Sequence, residues 1–410
     1  MGDKSLKLLQ ISVEVNSGSV GRIAEQIGIV AINNGWDSYI TFARNHNKSR
    51  SNLIKIGNKI DVYWHGLMTR IFDTHCLHST RATKKLVAQI KEMNPSIILL
   101  HHIHGYYLNM EVLFKYLSTI DTPIVWVFHD TWAMTGHCGN YSDVVGCDRW
   151  KKECFKCPLK NLYPGSYIFD RSKRNFRQKK ELFTSVNRLT IVPVSNWLAS
   201  KVKESFFRYF DVSVITNSVD IMAFSDTKSS VFRKQYGLIN KFIMLGVSTA
   251  WSDMKGFKDY LQLSKLIGDD SVIVLVGLTK KQIAKLPNNV IGIERTESVK
   301  ELAQIYSESD VVLSLSYEET FGLTTVEGLA CGTPSIVYNR SASPELVDEK
   351  TGFIVEPQDY NRILKVLKTI KENGRLYYSH NCRERAELLY DANKKFQSYV
   401  DLFNRLINKN

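Results

Sequence analysis

No stretch of this chain is apolar enough to cross a membrane: in 410 residues nothing approaches the roughly 20 consecutive apolar residues that a helical span needs. The first residues, Met1-Gly-Asp-Lys-Ser5, lack the apolar core of a secretory signal, and Leu6 stands where an N-myristoylation motif expects Ser or Thr. These absences predict a cytoplasmic protein. Tandem short repeats and low-complexity linkers are also missing, which excludes a solenoid or a linker-rich organisation. What remains is ordinary for a globular protein, with 44% apolar and 23% charged residues. The length is enough for two domains, each burying its own core.

Charge is unevenly placed. Residues 1–220 hold 29 Lys and Arg against 18 Asp and Glu, while the remainder holds 25 against 23. The excess gathers in Arg149-Trp-Lys-Lys152 and in Arg171-Ser-Lys-Arg-Asn-Phe-Arg-Gln-Lys-Lys180, a helix-compatible run. Such a run reads as a solvated helix face, or as a surface attracted to anionic lipid headgroups or a lipid-diphosphate acceptor. Nucleic acid would need a recognition motif, and none accompanies the charge.

Strand-like runs alternate with helical patterns. In the first half they are Leu6–Ser12, Ser38–Phe42, Ser96–Leu100, Ile124–Phe128, Leu189–Val194 and Val212–Ile215, with a helix expected over Ile23–Ala31 after the glycine-containing Gly18-Ser19-Val-Gly21. In the second they are Phe242–Val247, Val272–Val276, Asn289–Ile293, Val311–Ser316 and Ser335–Tyr338. This alternation predicts α/β architecture with doubly wound parallel sheets. We place the domains at 1–222, with a Cys-rich loop over 136–158, and at 223–385, followed by an amphipathic terminal segment, 386–410. Ligands of such sheets bind beyond the carboxyl ends of the strands, so two of them are expected to face a cleft.

The segment after Val311–Ser316 carries the most chemistry. Glu319-Glu-Thr-Phe-Gly-Leu-Thr-Thr-Val-Glu327 sets two carboxylates eight positions apart around a Phe-Gly turn, and Gly328-Leu-Ala-Cys-Gly-Thr-Pro334 follows. Glu319 would stand at a strand's carboxyl end, and Thr324 or Thr325 would cap the helix carrying Glu327. A helix start with free N–H groups is suited to phosphate, and a carboxylate one turn in can accept from both hydroxyls of a ribose. An ordinary βα turn with a helix-dipole carboxylate remains open on spacing alone.

This Glu-x7-Glu pattern closely resembles the signature of the retaining two-domain (GT-B) glycosyltransferases of family four. Asn217-Ser-Val-Asp220, Lys255-Gly256 and Thr351-Gly-Phe-Ile-Val355 fall in the family's order. The resemblance is strong in the second half and looser in the first. It implies two Rossmann-like domains with the last helix, here Asn393–Leu406, returning to the first. It implies that Glu319 contacts hydroxyls of a donor sugar, that Glu327 holds the ribose, and that Phe321, Gly322 and Leu323 present backbone amides to a diphosphate. It assigns Gly18, Ser19 and Gly21 to a glycine-rich loop, and His129, directly after Ile124–Phe128, to sugar orientation and charge stabilisation.

Glycosyl transfer must stabilise an oxocarbenium-like centre and the charge growing on a departing diphosphate. No Asp-x-Asp pair, the usual sugar-nucleotide metal anchor of the other common glycosyltransferase architecture, occurs in the chain. No cofactor is therefore expected for catalysis, and fixed donors would serve: Lys255, amides near Gly246-Val-Ser248-Thr249, and the helix start after Glu319. Where the family carries an Arg just after the glycine equivalent to Gly246, this chain has Ser248, Thr249 and Trp251, so that cation would come from elsewhere, with Arg22 and Arg295 as candidates. In His101-His-Ile-His104, strand-end histidines bonded to loops and acceptor binding by His104 both stay open. Asp130 is the acceptor-side base candidate, although a departing phosphate can itself take the proton. A same-face route and a covalent intermediate are both open.

Four of the seven cysteines fall within twenty residues, Cys138, Cys147, Cys154 and Cys157. In a reducing compartment their spacing, with a C-x-x-C at the end, predicts a structural zinc site closed on four sides. Cys76, Cys331 and Cys382 read as packing residues. The leading reading is a cytoplasmic hexosyltransferase, peripheral at the inner face of a membrane through its basic half, acting on a nucleotide diphosphate sugar and a glycan or lipid-linked acceptor in surface polysaccharide assembly. The alternatives are a sugar-nucleotide epimerase or phosphorylase on the same frame, or a basic zinc-bearing protein that binds nucleic acid or anionic lipid.

Overall fold

A computed structural model describes residues 5–140 and 142–408; Met1–Lys4, on which the signal-peptide and myristoylation readings fall, lie outside the described residues. The chain forms two compact units, one comprising residues up to Ile215 together with the segment from Phe396, the other Thr216–Lys395.

The first unit is built on β1 (Lys7–Ile11), β2 (Asp37–Phe42), β3 (Asn52–Lys55), β4 (Ile97–Leu100), β5 (Ile124–Phe128), β6 (Leu189–Pro193) and β7 (Asp211–Val212). They form a seven-stranded sheet in the order β3-β2-β1-β4-β5-β6-β7, and every pairing is parallel. Every residue of β4 and β5 is buried, as a parallel sheet covered on both faces requires. The second unit repeats the plan with β8 (Phe242–Val247), β9 (Ser271–Val276), β10 (Val290–Ile293), β11 (Val311–Ser314), β12 (Ser335–Tyr338) and β13 (Gly352–Val355), parallel throughout in the order β10-β9-β8-β11-β12-β13. Strand order reverses between β1 and β4 in one unit and between β8 and β11 in the other. Those switch points are where open α/β sheets leave room for ligands. Among the described residues no helix is long and apolar enough to cross a membrane.

The expected doubly wound α/β architecture is what the chain adopts, with local differences. Strands β3 and β13 were not anticipated: β3 is short and largely exposed, so it lacks the apolar run that marks a buried strand. Ordered β structure in the stretch expected to run to Ile215 ends at Val212. The helix expected from Ile23 starts at Gly18, so Gly18-Ser19-Val-Gly21 forms its first turn and not a loop. Gly322, at φ +106°, is the N-cap of helix Leu323–Ala330, without a side-chain cap, so neither Thr324 nor Thr325 caps it. The terminal segment also divides differently. Helix Arg375–Leu389 stays in the second unit, where Arg375 Nη2 donates to Cys331 O at 2.6 Å and Arg383 Nη1 to Ala330 O at 2.9 Å. The final helix, Ala392–Asn408, buries Phe396, Tyr399, Val400, Leu402 and Phe403; its Phe403 ring packs 5.9 Å from Trp36 in the first unit.

Candidate functional site

In the second unit the residues singled out from the sequence converge at the β8/β11 switch point. Ser248 follows β8, and Lys255 closes a short 3-10 turn ahead of Gly256. Gly256 sits at φ +76°, and a Cβ there would lie 2.2 Å from Leu315 O, so the chain reaches past the end of β11 only with glycine at this point. That approach brings Lys255 Nζ to 2.6 Å from Glu319 Oε1. The Glu319 N–H donates to Ser341 Oγ at 2.8 Å, which fixes the backbone under the carboxylate. Ser248 O is crowded by Gly277, where a Cβ would come within 1.6 Å.

Phe321 is 3% exposed and packs against Tyr390, with ring centroids 5.7 Å apart. Gly322 then turns the chain into Leu323–Ala330 with the first helical amides unspent on any side-chain cap. Glu327, half-buried on that helix, accepts from Tyr306 Oη at 2.8 Å. Sequence reading had no signal for Tyr306, which lies 21 residues away. Arg295 is exposed past β10, the edge strand of the sheet, and is not brought to the switch point.

In the first unit the β1/β4 switch point carries a histidine relay. Gln10, on β1, has its Oε1 3.0 Å from His101 Nε2, and His101 Nδ1 lies 3.2 Å from His129 Nε2. Burial, with His102 and His101 nearby, pushes the His129 imidazole well below its usual range, and burial takes His101 down to about 3. His129 is therefore a neutral imidazole at ordinary pH. Beside it, His104 Nε2 and His102 Nε2 stand 3.0 and 3.4 Å from Asp130 Oδ2, and the Trp132 N–H donates to Asp130 Oδ1 at 2.9 Å. Burial alone would raise the Asp130 carboxyl, but His104, His102 and the Trp132 amide outweigh it and hold the group below the usual carboxylate range. His104 also meets Tyr163 Oη at 3.1 Å. His104 and Asp130 are thus one cluster, joined by His102. Gly18, Ser19 and Gly21 follow β1 at the same switch point, Gly18 at φ +62°.

The loop after Asp130 is pinned from several sides. Thr131 donates to Gly139 O through its N–H at 2.9 Å and its hydroxyl at 2.8 Å. Lys179, part of the basic run expected on a solvated face, is instead 2% exposed, donates to Trp132 O at 2.7 Å and Thr135 O at 3.0 Å, and lies 3.4 Å from the Trp132 ring centroid. The helix Ser172–Phe183 buries its Phe and Leu side chains on the same side as this lysine, so the charge run is only partly a surface feature.

Cys138, Cys147, Cys154 and Cys157 line one cavity of about 10 Å³, together with His137 and Trp150. That volume admits about one water-sized sphere and no organic ligand. Gly136 N–H donates to Cys154 Sγ at 3.2 Å, Lys156 takes the left-handed φ of +45° inside the C-x-x-C, and Arg149 Nη1 donates to Phe155 O at 2.8 Å. Among the described residues, the ligand atoms that lie mutually within 4.8 Å in a group of three are those of His102, His104 and Asp130; of the four thiols, Cys138 and Cys157 are hydrogen-bonded neighbours.

Residues 229–388 match the family of glycosyl transferases group 1. WcaC of Escherichia coli (strain K12), named as a colanic acid biosynthesis glycosyl transferase, is 20% identical over 98% of this chain and 100% of its own length. The N-acetyl-alpha-D-glucosaminyl L-malate synthase of Bacillus anthracis is 26% identical over 41% of this chain and 46% of its own. Among solved structures, the sucrose-phosphate synthase of Thermosynechococcus elongatus superposes with a TM-score of 0.71 at 15% identity, covering 99% of this chain and 100% of that one. The Anabaena protein HepE, solved with UDP, does so at 0.68 and 17% identity, covering 98% and 100%. The likeness extends over the whole length of both chains and is one of fold, two parallel α/β domains of the GT-B type. The family match is therefore a property of the domain at residues 229–388, which is of the glycosyl transferases group 1 type.

Proposed function

We propose that the protein is a retaining, metal-independent hexosyltransferase that takes its sugar from a nucleotide diphosphate donor and passes it to a glycan or lipid-linked glycan in surface polysaccharide assembly. The observation that carries this reading is the 2.6 Å pairing of Lys255 with Glu319 at the β8/β11 switch point, just before a helix start that no side chain caps. Lys255 and the amides of that helix start, with Ser248, supply fixed positive charge for a departing diphosphate. Glu319 holds hydroxyls of the transferring sugar and Glu327 the ribose. In the first unit His129 orients and stabilises, and Asp130 with His104 serves the acceptor hydroxyl. HepE solved with UDP-glucose and WcaC's link to colanic acid support the donor class and the pathway class respectively.

The test is a panel of labelled nucleotide sugars. Binding and transfer of at least one is expected; tight DNA binding at physiological salt with no donor bound, hydrolysed or transferred would sink the reading. Within that assay, Glu327→Ala is expected to raise the donor KM about tenfold or more, the cost of one charge-assisted hydrogen-bond pair, with kcat changed less. An unchanged KM would remove Glu327 from the ribose.

The cysteine cavity fits a structural zinc. Its size suits a single ion, its four thiols are the donor set zinc takes in closed sites, and the Gly136 amide already points at Cys154 Sγ as amides do around metal thiolates. Elemental analysis of protein purified without chelator is expected to give about one zinc per chain, and Co2+ exchange an intense thiolate-to-metal absorption. Metal-free protein of unchanged melting temperature would overturn it.

A further inference from the structure

Helix Lys59–Phe72 is turned inside out. Its buried residues are His65, Gly66 and Thr69, whereas Ile60 is 78%, Tyr63 77%, Trp64 57% and Leu67 48% exposed. Those four stand at i, i+3, i+4 and i+7, one stripe of a helix, and a surface helix normally turns that stripe to the core. The inward face is satisfied by polar contacts: the Cys76 N–H donates to His65 Nε2 at 3.0 Å, His65 Nδ1 lies 3.0 Å from Ser79 Oγ, and Thr69 Oγ1 donates to His65 O at 2.8 Å. The outward stripe is therefore held outward by its own anchor.

The apolar surface continues onto a second segment. Tyr167 N–H donates to Arg70 O at 2.8 Å and Phe169 N–H to Ile71 O at 3.2 Å. Phe72 and Phe169 stack with centroids 5.5 Å apart, and Tyr167, Ile168 and Phe169 are all half-exposed or more. Exposed aromatic and aliphatic side chains gathered in this way mark a binding surface.

Charge identifies the occupant. Lys59, Arg70 and Arg174 are exposed around the patch; of the nearby acids, Asp73 is 1% exposed, Asp61 Oδ2 accepts from Asn58 N–H, and the exposed Asp170 accepts from Cys157 and Ser172 N–H groups, which leaves three cations against one exposed carboxylate. Tyr and Trp flanked by Lys and Arg are the composition of a helix lying in a headgroup layer. A second copy of the chain would set the same cations against one another.

We propose that helix Lys59–Phe72 and the segment Tyr167–Phe169 form a surface that docks onto an anionic membrane, with the aromatic stripe in the headgroup region and the cations on the lipid phosphates. This deepens the reading of a lipid-linked acceptor and locates the contact away from Arg149–Lys152, which the sequence had marked.

The test is flotation of the full chain with phosphatidylethanolamine–phosphatidylglycerol vesicles and with phosphatidylcholine vesicles, run without donor, while nucleotide-sugar binding is measured separately in solution. The wild type is expected to float with the anionic vesicles only, and Tyr63→Ser/Trp64→Ser to lose about tenfold or more of that binding with donor binding unchanged. Because both side chains are exposed, the variant keeps its fold. Wild-type protein that stays soluble, or a variant that floats equally well, overturns the proposal. A wild-type dimer that the variant turns into a monomer, without vesicle binding, assigns the face to a second copy and overturns it too. Loss of donor binding in the wild type would defeat the transferase reading and leave the flotation result standing.

Discussion

Glu319→Gln is expected to lower transfer turnover by about 100- to 1,000-fold, the range seen when one preorganised electrostatic partner is removed from a transition-state site. Glutamine keeps the shape, and its amide N–H can meet hydroxyls, but it cannot carry the charge that Lys255 Nζ faces at 2.6 Å. The loss should fall on kcat and kcat/KM together, since the carboxylate acts where charge develops and not where the nucleotide binds. The pair is only partly buried, with side chains 28% and 20% exposed, so the unfolding free energy should move by no more than about 1 kcal/mol. Single-turnover rates and a melting curve on the same preparation check both halves. Unaltered turnover in a folded variant would take Glu319 out of the site.

Much of this site was legible because its parts are local. The strand before Glu319, the Phe-Gly turn and the helix behind it occupy one continuous stretch, and β-branched runs such as Val311–Ser314 announce buried strands without knowledge of their neighbours. Lys255-Gly256 was legible through its resemblance to the family's Lys-Gly pair, and the glycine makes a close backbone approach to Leu315 O. What the sequence could not show is what long-range packing creates. Tyr306 on Glu327, Ser341 beneath Glu319, and the Gln10–His101–His129 relay join residues 21 to 91 positions apart, and no periodicity encodes such pairs.

Amphipathic phase misleads in two ways here. Lys179 sits in a run of cations that composition assigns to a solvated face, yet the helix phase that buries Phe176 and Phe183 also turns Lys179 inward onto carbonyls of the loop after Asp130. Helix Lys59–Phe72 shows the converse, an apolar stripe at helical spacing that is exposed while the opposite face is anchored through His65, which meets the Cys76 N–H and Ser79 Oγ beneath it. Amphipathic phase names two faces. Which one is buried depends on where polar partners wait.

Those partners also set the proton inventory of the first unit, and hence the behaviour expected of Asp130. Asp130→Asn is expected to cost about 100-fold or more in kcat, within the span of general-base contributions. Asn can still accept the Trp132 N–H that bonds Asp130 Oδ1 at 2.9 Å, so the loop should hold, and the melting temperature is the control. The pH profile separates catalysis from scaffolding. Asp130 is held below the usual carboxylate range, while burial foremost, then His104, takes His102 down to about 4 and burial brings His101 to about 3. His101, His102 and Asp130 thus each keep one charge state from about pH 8 down to about pH 5, and a kcat that Asp130 sets should be flat across that span. Stability behaves differently. The unfolded histidines take up protons near 6.5 while the folded ones stay neutral, so the unfolded state binds more protons and stability must fall as pH drops below about 6.5 toward 4. Activity lost in that interval should track loss of secondary structure, with constant kcat per folded molecule. A half-maximal kcat between pH 6 and 7 in protein that remains folded would mean that a group of ordinary pKa governs the step, and would remove the histidine-held Asp130 from the role of base.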